Sequence, residues 1–165
     1  ERNEGRPEGQ DEERPARHEG TLPGLRDGSL PDFIRRRVIA SNAEHTALLA
    51  ARAALDKQAE EVLVMDLRQV SSVSDFFVIA TATSRPQLAA ITEHIEAALR
   101  RVGHRVSHIE GLPPSRFAKS SANGFSWVLM DCGSLVVHLF DPPARQFYQL
   151  ERLWGDAPRI PLAST

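Results

Sequence analysis

Val62-Leu63-Val64-Met65-Asp66-Leu67-Arg68-Gln69-Val70-Ser71-Ser72-Val73-Ser74-Asp75-Phe76-Phe77-Val78-Ile79-Ala80-Thr81 sets two short apolar runs on either side of a polar, serine-rich stretch. Each run is too brief for a buried helix and is best read as a strand. Both are apolar on successive residues, so both faces of each strand are expected to be covered. A sheet clothed on two sides belongs to a layered α/β fold.

Downstream, Thr83-Ser84-Arg85-Pro86-Gln87 offers a helix cap, an early proline, and Gln three residues after Ser84. Leu88, Ile91, Ile95, Leu99 and Val102 make one apolar stripe, and Gly103 marks the stop. A short strand is expected over residues 105–109 and a loop over 110–124, a stretch holding prolines, serines and glycines. Residues 125–130 and 135–140 read as paired strands. Asp131-Cys132-Gly133-Ser134 forms the turn between them, with Gly where a positive φ is needed. Asp141-Pro142-Pro143 then caps a helix through Phe147, Tyr148, Leu150, Leu153 and Trp154 to Gly155. In that helix Phe147, Leu150 and Trp154 share the face expected to pack, and Tyr148 and Glu151 form the adjacent stripe.

Upstream, Ser41-Asn42-Ala43-Glu44 fits a capping box, and Ala47, Leu48, Ala51, Ala54 and Leu55 recur at helical spacing behind it. The fold class that results is α/β, a mixed sheet of about five strands with packed helices. Residues 1–40 read as a polar N-terminal extension that buries too little apolar surface to order itself, with a short helix over 31–40. Residues 41–156 are the folded domain and 157–165 a C-terminal tail. Arg35-Arg36-Arg37 reads as a solvated helix face, with a contact to RNA phosphate as the sharper option.

The chain has 165 residues, 41% hydrophobic and 25% charged, with a formal net charge of -2. Nothing in that balance marks a protein that follows nucleic acid by bulk charge. The single cysteine, Cys132, rules out an intramolecular disulfide and favours a reducing compartment. No apolar run approaches the roughly 20 residues of a membrane span, so no membrane association is expected. The opening residues have neither a signal-peptide core nor the acid-poor character of a transit peptide, which points to a bacterial-type cytoplasmic protein rather than a mitochondrial or plastid one.

Catalytic motifs are missing. The sequence has no phosphate-binding glycine loop, no dinucleotide fingerprint, no C-x-x-C and no H-E-x-x-H. Asp66, Asp75, Asp131 and Asp141 lie at strand ends, where metal-dependent phosphoryl transfer would be built. They lack the Asp-x-Asp pairing such sites use, so no metal or cofactor is expected. Cys132 has nothing beside it to lower its pKa, and His138 sits mid-strand in an apolar run, as a core histidine does.

Four blocks carry a resemblance: residues 64–81; Glu110-Gly111; Trp127-Val128-Leu129-Met130-Asp131-Cys132-Gly133-Ser134-Leu135-Val136-Val137-His138; and Tyr148-Gln149-Leu150-Glu151-Arg152-Leu153-Trp154. In this order they resemble the ribosomal silencing factor family, also called Iojap, over about residues 44–156. The resemblance implies a nucleotidyltransferase-like core without the catalytic acids. It implies a translation repressor that binds ribosomal large-subunit protein fourteen and so blocks joining of the small subunit. It also places Trp127 and Tyr148 in the partner-binding surface; Leu129, Asp131 and Glu151 are added to it by proximity and chemistry. Cys132 stands where the family commonly has an aromatic or aliphatic residue, and the loop over residues 111–124 is longer than in many relatives. The alternatives are a nucleotidyltransferase-like or metal-dependent phosphoryl-transfer enzyme, and a module whose apolar face pairs two copies of the free protein.

Overall fold

The computed structural model describes residues 32–111 and 126–163. The expectations of disorder in the N-terminal extension and of a long loop over 110–124 fall almost wholly outside these residues, as do the side chains of Arg35, Arg36 and Arg37.

β1 (Glu60–Asp66) and β2 (Phe76–Thr81) are the two apolar runs, paired antiparallel. Every residue of β2 is buried, as the unbroken apolar pattern requires. Its side chains alternate between two cores. Phe76, Val78 and Ala80 enter the larger one, whereas Phe77 and Ile79 enter a smaller one on the opposite face.

The larger core lies under α1 (Asp32–Asp56) and α2 (Arg85–Arg101). In α2 the Ser84 hydroxyl accepts from the Gln87 amide at 3.2 Å. The Gln87 side chain accepts in return from the Thr83 amide and hydroxyl. Leu88, Ile91, Ile95 and Leu99 are buried, each contributing about 1.5–3 kcal/mol. Val102 leaves the stripe: it is the C-cap residue and 56% exposed. α1 buries small residues, Ala43, Ala47, Ala50, Ala51 and Ala54, which let its backbone approach the sheet and α2 closely.

Two expectations about α1 are corrected. The helix is continuous from Asp32, so Ser41 lies inside it and the capping box at Ser41–Glu44 is not a helix start. Leu55, expected on the packed face, is 44% exposed near the helix end.

β3 (His108–Glu110) pairs with β4 (Trp127–Asp131), and β4 with β5 (Leu135–Phe140), all antiparallel. Gly133 holds the predicted positive φ, +79°, in the β4–β5 turn. β5 runs parallel to β2, which joins the hairpin to the rest of the sheet. Among the described residues the strand order is β3-β4-β5-β2-β1-β6, six strands rather than about five. The additional one, β6 (Arg159–Ile160), pairs antiparallel with β1 beyond the expected domain end at Asp156, and Ala157 is buried. Residues 157–163 are therefore partly integrated into the sheet and are not a free tail. Two residues of strand are too few to leave a periodic signal.

The C-terminal helix is also corrected. It divides into α3 (Pro142–Tyr148) and α4 (Leu150–Leu153), separated by Gln149 in the left-handed region at φ 42°.

Candidate functional site

Alternation along β4 sends Val128 and Met130 into the larger core and turns Trp127, Leu129 and Asp131 to the opposite face, where all three are half-buried. On that face β5 contributes Val136, His138 and Phe140. Trp127 and Phe140 are directly paired across the strands, with ring centroids 5.1 Å apart. The Trp127 indole N–H donates to His138 Nδ1 at 3.2 Å.

The start of β4 is held close to β3 by Gly111 (φ +86°). A Cβ there would come within 1.8 Å of the Trp127 carbonyl oxygen, so only glycine permits this approach. The Glu110-Gly111 block is thus tied physically to the placement of Trp127.

Asp141 starts α3. One carboxylate oxygen accepts from the Ala144 amide at 2.8 Å and the other from the Ser126 amide at 2.7 Å, linking the helix cap to the entrance of β4. α3 then brings the Tyr148 ring to 4.8 Å from Trp127 and 6.1 Å from Phe140. Tyr148 remains 38% exposed. Phe147 stands edge-on to Tyr148 and is 67% exposed.

That placement overturns the expectation that Phe147 packs with Leu150 and Trp154. The break at Gln149 changes the direction of the chain, so Leu150 and Trp154 pack on the smaller core while Phe147 and Leu153 (72% exposed) face outward. Trp127, Tyr148 and Phe147 form a continuous aromatic surface. Phe147 had no sequence signal for exposure, because its spacing to Leu150 and Trp154 matches one helical face.

The break is held by a buried cation. Arg145, 6% exposed, donates from Nε to Glu151 at 2.9 Å, from Nη1 to the Thr81 hydroxyl at 3.1 Å and from Nη2 to the Glu61 carbonyl at 3.1 Å. Glu151, expected to flank the aromatic anchors as a free acid, has one oxygen committed to this pair; its other oxygen is buried without a partner among the described residues. Asp131 is at the far end of β4, about 13 Å from Trp127 at strand rise, and its carboxylate accepts from the Gly133 amide at 2.9 Å. Leu129 lies between them. The structure brings Trp127, Tyr148 and Leu129 onto one face; it sets Asp131 and Glu151 at the margins, each with an intramolecular role.

Cys132 is buried, and burial together with the nearby Asp131 charge pushes its thiol up to about 12, away from nucleophilic chemistry. Burial pushes His138 down to about 4, which keeps its ring neutral. The Asp66 carboxyl is held below the usual range by its hydrogen bonds from Arg68. No group of three or more His, Cys, Asp or Glu side chains converges to hold a metal among the described residues, and no helix there is long and apolar enough to cross a membrane.

Fold and face together define a small mixed-sheet α/β domain that displays aromatic rings beside a hairpin edge. The family model described as ribosomal silencing factor during starvation matches residues 40–165. The ribosomal silencing factor of Bacillus subtilis is 38% identical over 71% of this chain and 91% of its own length. That of Halalkalibacterium halodurans is 36% identical over 69% and 89%. A crystal structure of a Chromobacterium violaceum protein superposes with a TM-score of 0.59 at 26% identity, over 74% of this chain and 92% of that one. The chain belongs to the ribosomal silencing factor family.

Proposed function

We propose that this protein represses translation by binding the large ribosomal subunit through ribosomal large-subunit protein fourteen, where it blocks joining of the small subunit. The observation that carries this reading is the surface of Trp127, Tyr148 and Phe147 on a domain of this family. Rigid aromatic side chains, partly packed and partly exposed, are the usual anchors of a protein interface. Leu129 extends the apolar area, and Leu153 lies outward on the neighbouring α4.

The proposed mechanism is steric and requires no turnover. A folded domain of this size is about 30 Å across, and two subunits cannot close over it. The partner's surface is expected to be basic, as ribosomal proteins generally are, so Asp131 at the margin would assist encounter more than it adds affinity. The phosphoryl-transfer alternative needs three converging carboxylate or histidine ligands, and the described residues contain no such group. The proposed site of action is the cytoplasm, with any contact of the arginine-rich segment 35–37 to ribosomal RNA peripheral.

Sedimentation of a cell extract tests the proposal. The protein is expected with free large subunits and not with assembled ribosomes, and its addition should reduce subunit joining. Equal recovery with assembled ribosomes would eliminate the steric mechanism. Measured alone, a mass of twice the chain would mean that the free protein pairs with itself.

A further inference from the structure

His138 is the polar residue inside the aromatic face. It is 4% exposed and sits on β5 between Leu129 of β4 and Ile79 of β2 in the sheet register. Its ring meets Phe77 edge-on at 4.7 Å and lies 5.8 Å from Trp127 and 6.2 Å from Phe140. An indole nitrogen can only donate, so Nδ1 must accept from Trp127 and the ring proton must reside on Nε2. That Nε2–H is buried and has no hydrogen-bond partner among the described residues.

A merely apolar role would be filled better by leucine or phenylalanine, which leave no buried donor unpaired. The retained imidazole has one satisfied polar group, and that group holds Trp127. Without it the half-buried indole N–H would have to find water, and the ring could leave its place against Phe140 and Tyr148.

We propose that His138 is a positioning residue for partner binding: its Nδ1 fixes the Trp127 indole in the orientation that, with Tyr148, forms the docking surface. This rests on the proposed function for its binding consequence, but the orientation of Trp127 is a property of the free protein. His138 acts through Trp127 and need not touch the partner.

Two near-isosteric substitutions test it. Asparagine places its amide oxygen close to where Nδ1 stood, and leucine fills the space without an acceptor. If His138 only packed the core, His138→Leu would be the milder change. The positioning role inverts that order. His138→Asn should bind large subunits within about threefold of the natural protein, and His138→Leu should bind about tenfold more weakly.

A second readout needs no ribosome. In a Trp154→Phe background Trp127 is the remaining tryptophan. Its fluorescence emission and anisotropy should be preserved in His138→Asn, and His138→Leu should shift it toward a mobile, hydrated indole. Unchanged Trp127 fluorescence in a folded His138→Leu protein would overturn the proposal, as would equal or better subunit binding by His138→Leu than by His138→Asn. Failure of the natural protein itself to bind large subunits would count against the proposed function, and the fluorescence comparison would still decide the positioning role.

Discussion

Trp127 and Tyr148 are neither wholly core nor wholly surface, and this sets how their removal should read. Trp127 touches His138, Phe140 and Tyr148 and makes one hydrogen bond, whereas Tyr148 contributes a half-exposed ring to the same stack. Trp127→Ala should therefore reduce subunit binding by about 2 kcal/mol or more and also destabilise the fold by about 2 kcal/mol. Tyr148→Ala should show a similar binding loss with only about 1 kcal/mol of unfolding free energy. Binding and urea unfolding on the same samples separate the two, and a folded Tyr148→Ala protein with full affinity would remove Tyr148 from the site. His138 adds a pH dependence. Its pKa is lowered from 6.5 to about 4, so between those values the unfolded chain binds more protons than the native one. Stability from this group is present above about pH 6.5 and lost as pH falls toward 4, a total on the order of 3 kcal/mol. His138→Asn should flatten that part of the stability–pH curve, as measured by urea midpoints across the window.

At the scale of elements, α3 and α4 behave as one unit because Arg145 is inserted between them and the ends of β1 and β2. Glu151→Ala would leave a buried guanidinium without its counter-charge. A loss of about 3 kcal/mol is expected, near the lower end for breaking a buried pair because Glu151 is partly accessible. Thermal unfolding checks this. A drop in subunit binding without loss of stability would instead mean that Glu151 faces the partner, as its sequence position first suggested. The break at Gln149 was not legible in the sequence. Phe147, Leu150 and Trp154 have continuous helical spacing, and Gln is not a residue that announces a left-handed φ. By contrast α2 was legible almost to the residue, because its cap, proline, stripe and terminal glycine all lie within its own sequence.

For the whole molecule, the sheet is completed at one edge by residues beyond the expected domain end. β6 covers Val64 and Met65 of β1, and Ile160 and Leu162 pack against the larger core. Deleting residues 158–163 should destabilise the domain by about 2 kcal/mol and leave β1 as an open edge prone to self-pairing. Denaturant unfolding and light scattering of the shortened chain read both effects; an unchanged midpoint would mean that β6 is an ornament. The sequence by itself determined the two-sided central strands, α2, the β4–β5 hairpin and the family, since each is written in a local periodicity, a turn residue or an ordered block. Only the tertiary structure decided that Phe147 faces outward, that Glu151 is engaged by Arg145, and that His138 lies under Trp127. Those outcomes depend on the register of β4 with β5 and on the left-handed turn at Gln149, which bring together side chains of different elements. Local spacing reports which residues share a face of their own element, and it is silent on what that face will meet.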